Sequence, residues 1–101
     1  MILYNVTVNV DENIHKEWVQ WMKTEHIPEV MATGKFVEYK MFKVITRQPD
    51  ETGVTYSVQY FAKTMADYES YTTNFGPALK MKTMQKYGEK LGAFRSLLET
   101  V

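Results

Sequence analysis

The feature that most constrains this fold is a strict alternation of side-chain character in two long segments. In "ILYNVTVNV", residues 2–10, and in "VTYSVQYFAK", residues 54–63, apolar or aromatic residues occupy every second position. Successive side chains of a β-strand point to opposite faces, so each segment predicts a strand with one buried face. The predicted buried faces consist of Ile2, Tyr4, Val6, Val8 and Val10 in the first strand, and of Val54, Tyr56, Val58, Tyr60 and Ala62 in the second.

Between these strands the apolar spacing changes to that of a helix. Ile14, Trp18, Trp21 and Met22 recur at helical intervals and predict a first helix. Pro28 disfavours the helical conformation in the residue before it, so we expect this helix to end near His26. The segment "PEVMAT" predicts one further turn, and Gly34 supplies a left-handed cap.

The second half of the chain repeats this pattern. Residues 35–47 form a long aromatic and β-branched segment that predicts a strand, and the turn residues 48–53 join it to the strand at 54–63 in a hairpin. A second helix begins at Thr64, is kinked or split at Gly76-Pro77, and ends at Gly88. Residues 90–99 predict the last strand.

The resulting order is β-α-β-β-α-β, which predicts a ferredoxin-like α+β fold in a single domain spanning residues 1–101. In this fold both helices cover one face of a four-stranded antiparallel sheet. The expected strand order is 4-1-3-2, so the two strongly alternating strands lie in the centre.

Charge and composition exclude several classes of function. Twelve basic and twelve acidic residues cancel, so no global field attracts nucleic acid or an anionic membrane. There is no cysteine, no apolar stretch long enough to cross a membrane and no signal-peptide pattern, so we expect a cytoplasmic protein. His15 and His26 lie eleven positions apart without a ligand set around them, which predicts no metal site.

The faces of the central strands turned away from the helices are polar but uncharged. Asn5, Thr7, Ser57 and Gln59 lie on this side, where a solvated sheet usually carries more Lys and Glu. We interpret it as part of an enclosed ligand-binding surface, with a simple solvated face as the alternative. Because an unpaired buried charge is costly, we expect Arg95 on the same helix-free face, either as a ligand contact or in a surface ion pair.

Taken together, the topology, the polar helix-free face and a His-x-Pro motif at His26 and Pro28, at the end of the first helix, resemble the dimeric α/β-barrel superfamily, which includes the EthD-like proteins and the Dabb domains. The whole chain also resembles a small family of domain-of-unknown-function proteins, through "MILYNVTVNV", "GVTYSVQYF" and "AFR". The resemblance implies a homodimer whose sheets meet through their helix-free faces. It also implies a cavity in each subunit, bordered by the histidine near the end of the first helix, which here is His26.

The resemblance leaves two functions open. In the first, the homodimer is a non-catalytic module that binds a small ligand or a protein partner, and a small organic anion would be held by Asn5, Thr7, Ser57, Gln59 and Arg95. In the second, it is a cofactor-free isomerase or monooxygenase-like enzyme with His26 as general base. Haem-binding members of the superfamily use a histidine of the second helix, and this chain has none there, so we expect no cofactor. His26 as a mere helix end, and His15 as a solvated surface residue, are the simpler interpretations.

Overall fold

A computed structural model describes all 101 residues. The strands are β1 (Ile2–Val10), β2 (Glu38–Lys43), β3 (Val54–Ala62) and β4 (Leu91–Glu99). The helices are α1 (His15–Trp21), α2 (Ile27–Ala32), α3 (Met65–Asn74) and α4 (Gly76–Tyr87), with a π turn over Met22–His26 and a short 3₁₀ turn over Gly88–Lys90.

The four strands form one antiparallel sheet in the order β2-β3-β1-β4. This arrangement confirms the ferredoxin-like fold and the predicted strand order. In the centre Val6 pairs with Val58 of β3 on one side and with Arg95 of β4 on the other. Directly paired residues of antiparallel strands lie on the same face, so this register decides which β4 side chains turn toward the helices.

The core lies between the helices and the alternating faces of β1 and β3, as predicted. Val10, Trp18, Ile27, Val30 and Val58 are its most completely buried large side chains. An aromatic cluster occupies the end of the core beside the start of β1. The ring centres of Tyr4 and Phe36 lie 6.2 Å apart, and each lies 4.8–6.2 Å from those of Tyr60 and Tyr71.

The prediction that the first helix ends near His26 is wrong. Trp21, Met22, His26 and Ile27 all have right-handed helical backbone angles, so α1, the π turn and α2 follow one another without a break. The backbone N–H of Ile27 donates to the carbonyl of Met22, five residues earlier. In a regular α-helix the ring of Pro28 would clash with the carbonyl four residues before it, and the wider π turn accommodates the ring without ending the helix.

The second helix is split as predicted. Phe75, with φ −124° and ψ −37°, separates α3 from α4. Thr64 caps α3, because its hydroxyl accepts a hydrogen bond of 3.1 Å from the backbone N–H of Asp67. The left-handed conformation expected at Gly34 is also present, with φ +76°.

The strand predicted over residues 35–47 is shorter than expected. Phe36 is buried in the core, and β2 covers only Glu38–Lys43. The following segment forms a loop in which the Arg47 guanidinium donates to the carbonyls of Glu51 and Gly53, at 3.1 and 2.9 Å. None of the helices is long and apolar enough to cross a membrane.

Candidate functional site

A cavity of about 320 Å³ lies between the sheet and the helices, on the side of β4. Its floor comes from β1, β3 and β4, and its walls come from α1, the π turn and α4. The lining is predominantly apolar and contains no Asp or Glu. The polar or charged side chains in it belong to Tyr4, Trp18, His26, Tyr60, Tyr71, Lys80, Thr83 and Arg95.

Arg95 lies at this cavity and not on the helix-free face, so the expected placement is wrong. It pairs with Val6, whose side chain is on the helix side of the sheet. The expectation assumed that an arginine on the helix side would be buried without a partner. Because β4 is an edge strand, the Arg95 side chain remains exposed to solvent while it lines the cavity. Its Nε donates a 3.0 Å hydrogen bond to the hydroxyl of Tyr4, and it has no carboxylate within 4.0 Å, since Lys82–Glu29 is the only ion pair of the structure.

The tyrosine hydroxyls around the cavity are neutral donors at neutral pH. Burial raises the pKa of Tyr4, and the nearby Arg95 guanidinium opposes that rise only in part. Burial also raises the pKa of Tyr60 and of Tyr71 far above the usual range, and the neighbouring tyrosines add to the effect. These hydroxyls therefore stay protonated and uncharged at neutral pH.

Two buried polar atoms of the lining residues have no hydrogen-bond partner. They are the indole Nε1 of Trp18 and the hydroxyl oxygen of Tyr60, whose side chains are 1% and 2% exposed. A buried donor without a partner costs on the order of 1–3 kcal/mol. Trp18 is thus a core residue that also borders the cavity. The helical spacing alone leaves open whether this residue belongs to the core or to a pocket wall.

His26 lines the same cavity from the π turn. Its ring stacks on the indole of Trp21, with ring centres 5.1 Å apart and an interplanar angle of 26°. The π turn brings these residues, five apart in sequence, onto one side of the helix. Burial lowers the pKa of His26; Glu29 opposes this shift, and Lys82 adds to it. The imidazole is therefore mainly uncharged at neutral pH.

The other predicted site residues form a separate group on the helix-free face. Ser57 Oγ donates to Asn5 Oδ1 at 2.6 Å, Asn5 Nδ2 donates to Thr7 Oγ1 at 2.9 Å, and Gln59 Nε2 donates to Ser57 Oγ at 3.2 Å. The sheet itself separates this network from the cavity. The structure thus brings His26 and Arg95 together, and places Asn5, Thr7, Ser57 and Gln59 elsewhere.

Large apolar side chains surround this polar network on the helix-free face. Phe42 pairs with Ser57, Phe94 with Thr7, and Leu98 with Leu3, so all three lie on this side of the sheet. They are 51%, 64% and 47% exposed in the single chain. No helix covers this face, which combines a satisfied polar centre with an apolar rim.

His15 is not the solvated surface residue that the sequence suggested. Its Nδ1 lies 2.9 Å from the hydroxyl of Tyr56, and the ring is half-buried. No three His, Cys, Asp or Glu side chains form a group that could hold a metal ion.

Residues 1–101 match the family described as Domain of unknown function (DUF4286). The chain belongs to this family. Among curated proteins, no sequence matches this chain.

Several solved structures share the fold of this family member. An ethyl tert-butyl ether d (EthD) family protein from Bacillus halodurans C-125 matches with a TM-score of 0.65 and 13% identity over 100% of both chains. HapK from Hahella chejuensis matches with a TM-score of 0.72 and 7% identity, over 100% of this chain and 93% of its own. A dimeric ferredoxin-like protein from an uncultured marine organism matches with a TM-score of 0.62 and 14% identity, over 99% and 94%. At these identities the likeness establishes the fold alone.

Sequence reasoning missed Tyr4, Tyr60 and Tyr71 as cavity residues, and it left open whether Trp18 belongs to the core or to a pocket wall. All four occupy positions that the apolar periodicity assigns to the core, and that periodicity does not distinguish a filled core from a cavity wall. The only available signal was their polar atoms, because a buried indole N–H or phenol hydroxyl normally requires a partner.

Proposed function

We propose that this protein binds a small organic anion with an apolar body in the cavity between the sheet and the helices. The observation that carries this proposal is the Arg95 guanidinium, which lies at an apolar cavity and has no carboxylate partner in the chain. Arginine presents a planar fork of donors that fits a carboxylate. Its Nε is held by Tyr4, which leaves the terminal guanidinium nitrogens available to an anion.

The charge and size of the cavity support the same ligand class. Lys80 is a second cation in the lining, and no acidic side chain opposes the two. A volume of about 320 Å³ lies at the low end of the range for small-molecule sites, about 300–1,000 Å³. A ligand with one aromatic ring and one carboxylate matches these features better than an inorganic anion, which would leave the apolar walls unused.

Calorimetric titration with benzoate and related aromatic carboxylates tests the proposal. The wild-type protein should bind, and Arg95→Gln should weaken binding at least tenfold, because the charge-assisted hydrogen bonds are lost. Arg47→Gln is the matched control, since Arg47 is the only other arginine and does not line the cavity. The proposal fails if no carboxylate binds, or if both arginine variants bind as the wild type does.

We also propose that the chain forms a homodimer through its helix-free sheet face. The exposed Phe42, Phe94 and Leu98 make this face unusually apolar for a surface in water, and the polar centre is already hydrogen-bonded within the chain. A second copy would cover the apolar rim without leaving buried polar groups unpaired. The neighbour described as a dimeric ferredoxin-like protein supports this assembly.

A second candidate function is cofactor-free proton abstraction by His26. It is favoured by one observation: a mainly uncharged imidazole lines the cavity that also holds Arg95. Such a base can accept a carbon-bound proton next to a carbonyl, while the cation stabilises the enolate. Phenylpyruvate in D₂O is a direct probe, because its benzylic protons would exchange for deuterons. Exchange above the background rate that disappears in His26→Gln supports this function, and background exchange in the wild type rejects it.

A further inference from the structure

We infer that an anion enters the cavity together with a proton, which the imidazole of His26 accepts, so that His26 becomes a further cationic group of the occupied site. The inference rests on the proposed function and adds the regulation of that site: binding strengthens as the pH falls from about 8 to about 5.5. It starts from the composition of the lining, in which a half-buried histidine shares an apolar cavity with Arg95 and Lys80 and with no carboxylate.

His26 is the only side chain of the lining that can take up a proton near neutral pH. Arg95 and Lys80 carry their charge already, and the lining contains no Asp or Glu. The tyrosine hydroxyls of the lining hold their protons, because burial raises the pKa of each. Histidine changes its charge in this range, with an ordinary pKa of about 6.5. A proton that accompanies an ionised ligand into the cavity therefore goes to His26.

Without a ligand, a protonated His26 lacks a counterion of its own. Burial lowers the pKa of this imidazole; Glu29 of α2 opposes the shift, and Lys82 of α4 adds to it. The Glu29 carboxylate is already balanced, because it lies 2.8 Å from Lys82 Nζ. On the cavity side Arg95 and Lys80 contribute only positive charge. The free protein therefore keeps His26 mainly neutral, and a bound anion supplies the missing counterion.

The anion acts on His26 through its field and does not have to touch the ring. A sphere of about 320 Å³ is about 8.5 Å across, which is shorter than the Debye length of about 10 Å at 0.1 M salt. At an effective dielectric constant of about 20, a negative charge about 8 Å away favours proton binding by a factor of about 30. The ligand also removes water from the imidazole, and this desolvation opposes the gain. We therefore expect the proton affinity of His26 to rise about three- to tenfold.

Calorimetric titration with benzoate in two buffers of different ionisation enthalpy measures the proton uptake. The proton comes from the buffer, so the observed heats differ in proportion to the number of protons taken up. At pH 6.5 the wild-type protein should take up a measurable fraction of a proton. Benzoate should also bind more tightly at pH 5.5 than at pH 8, by a factor that approaches the rise in proton affinity. A carboxylate remains largely ionised over this range, so the ligand itself does not account for the uptake.

The two histidines of the chain provide matched variants. His26→Gln should bind benzoate without proton uptake and with an affinity that no longer depends on pH. His15→Gln should behave as the wild type does, because His15 is the only other histidine and does not line the cavity. Proton uptake that persists in His26→Gln, or that disappears in His15→Gln, would overturn the assignment to His26.

An NMR titration gives a readout that requires no variant of a cavity residue. The wild-type protein has two imidazole rings, and His15→Gln assigns their signals. Saturation with benzoate should raise the pKa of His26, whereas benzamide, which has a similar shape and no charge, should not raise it. If Arg95→Gln weakens benzoate binding but the affinity is independent of pH and the pKa of His26 does not rise, the proposed function stands and this inference fails. If no carboxylate binds, the proposed function fails as well.

Discussion

Arg95 Nε donates a 3.0 Å hydrogen bond to the hydroxyl of Tyr4, which joins a residue of the edge strand β4 to the aromatic end of the core. Tyr4 lies on the helix side of β1, among Phe36, Tyr60, Tyr68 and Tyr71. This bond directs the arginine side chain along the cavity and limits its freedom before any ligand binds. A cation held in this way loses less conformational entropy on binding an anion than a free surface side chain does.

Removing the Tyr4 hydroxyl should therefore weaken both the fold and the site to a modest extent. We expect Tyr4→Phe to lower the free energy of unfolding by about 0.5–1.5 kcal/mol, the net value of one hydrogen bond, as measured by urea denaturation. Tyr39→Phe is the matched control, because Tyr39 is exposed and makes no side-chain hydrogen bond. A Tyr4→Phe protein as stable as the control would show that the bond to Arg95 contributes nothing.

The titration of His26 should make stability depend on pH. Burial lowers its folded-state pKa below the ordinary 6.5, so the unfolded chain binds the proton more readily. The stability that this group provides is present above pH 6.5 and is lost as the pH falls toward and through the folded pKa. Melting temperatures between pH 7.5 and 5 should fall less steeply for His26→Gln than for the wild type. An NMR titration that gives His26 a pKa of 6.5 or higher would contradict this.

Gly53 should be the least replaceable glycine. It has a φ of +75°, and an added Cβ would lie 2.7 Å from the carbonyl oxygen of Val10 and from Asn9 Oδ1. We expect Gly53→Ala to cost roughly 2–4 kcal/mol, from backbone strain and from the displacement of β1. Gly34→Ala separates backbone strain from the close contact. Gly34 has a φ of +76°, but an added Cβ there would meet no atom within 4 Å. We therefore expect Gly34→Ala to cost only the strain, about 1–2 kcal/mol. Equal losses in thermal denaturation would show that the close contact is relieved at no cost.

The helix-free face should control the state of association. Phe94→Lys introduces a charge into the apolar rim of the proposed contact and should convert a dimer into a monomer in light-scattering measurements at micromolar concentration. Met81→Lys is the control, because Met81 is similarly exposed, at 57% against 64% for Phe94, but lies on α4. A monomeric wild type, or a Phe94→Lys protein that remains dimeric, would exclude this face as the interface.

The fold was predictable because its signals are local and repeated. The alternation in β1 and β3, the capping by Thr64 and the break at Gly76-Pro77 each act within a few residues, and all of them are present in the structure. The prediction that the helix ends before Pro28 was wrong because the chain forms a π turn there. A π turn is a rare alternative to helix termination, and its occurrence depends on how the residues before the proline pack.

The site was less predictable than the fold, and Arg95 shows why. Alternation in β4 separates Ala93, Arg95 and Leu97 from Phe94, Ser96 and Leu98, but both sets mix apolar with polar residues. Hydrophobicity therefore does not specify which set faces the helices. The pairing of Arg95 with Val6 decides it, and the edge position of β4 allows the charge to remain in solvent.

By itself the sequence determined the order of the elements, the buried faces of the central strands and the absence of a Cys-based or His-clustered site. These properties follow from backbone geometry and side-chain periodicity, which act over short distances along the chain. Only the tertiary structure decided that His26 and Arg95 share a cavity, that Asn5 and Ser57 lie on the far side of the sheet, and that the N–H of Trp18 has no partner. These relationships join residues from separate elements, so they depend on strand register and helix packing, which no single segment specifies.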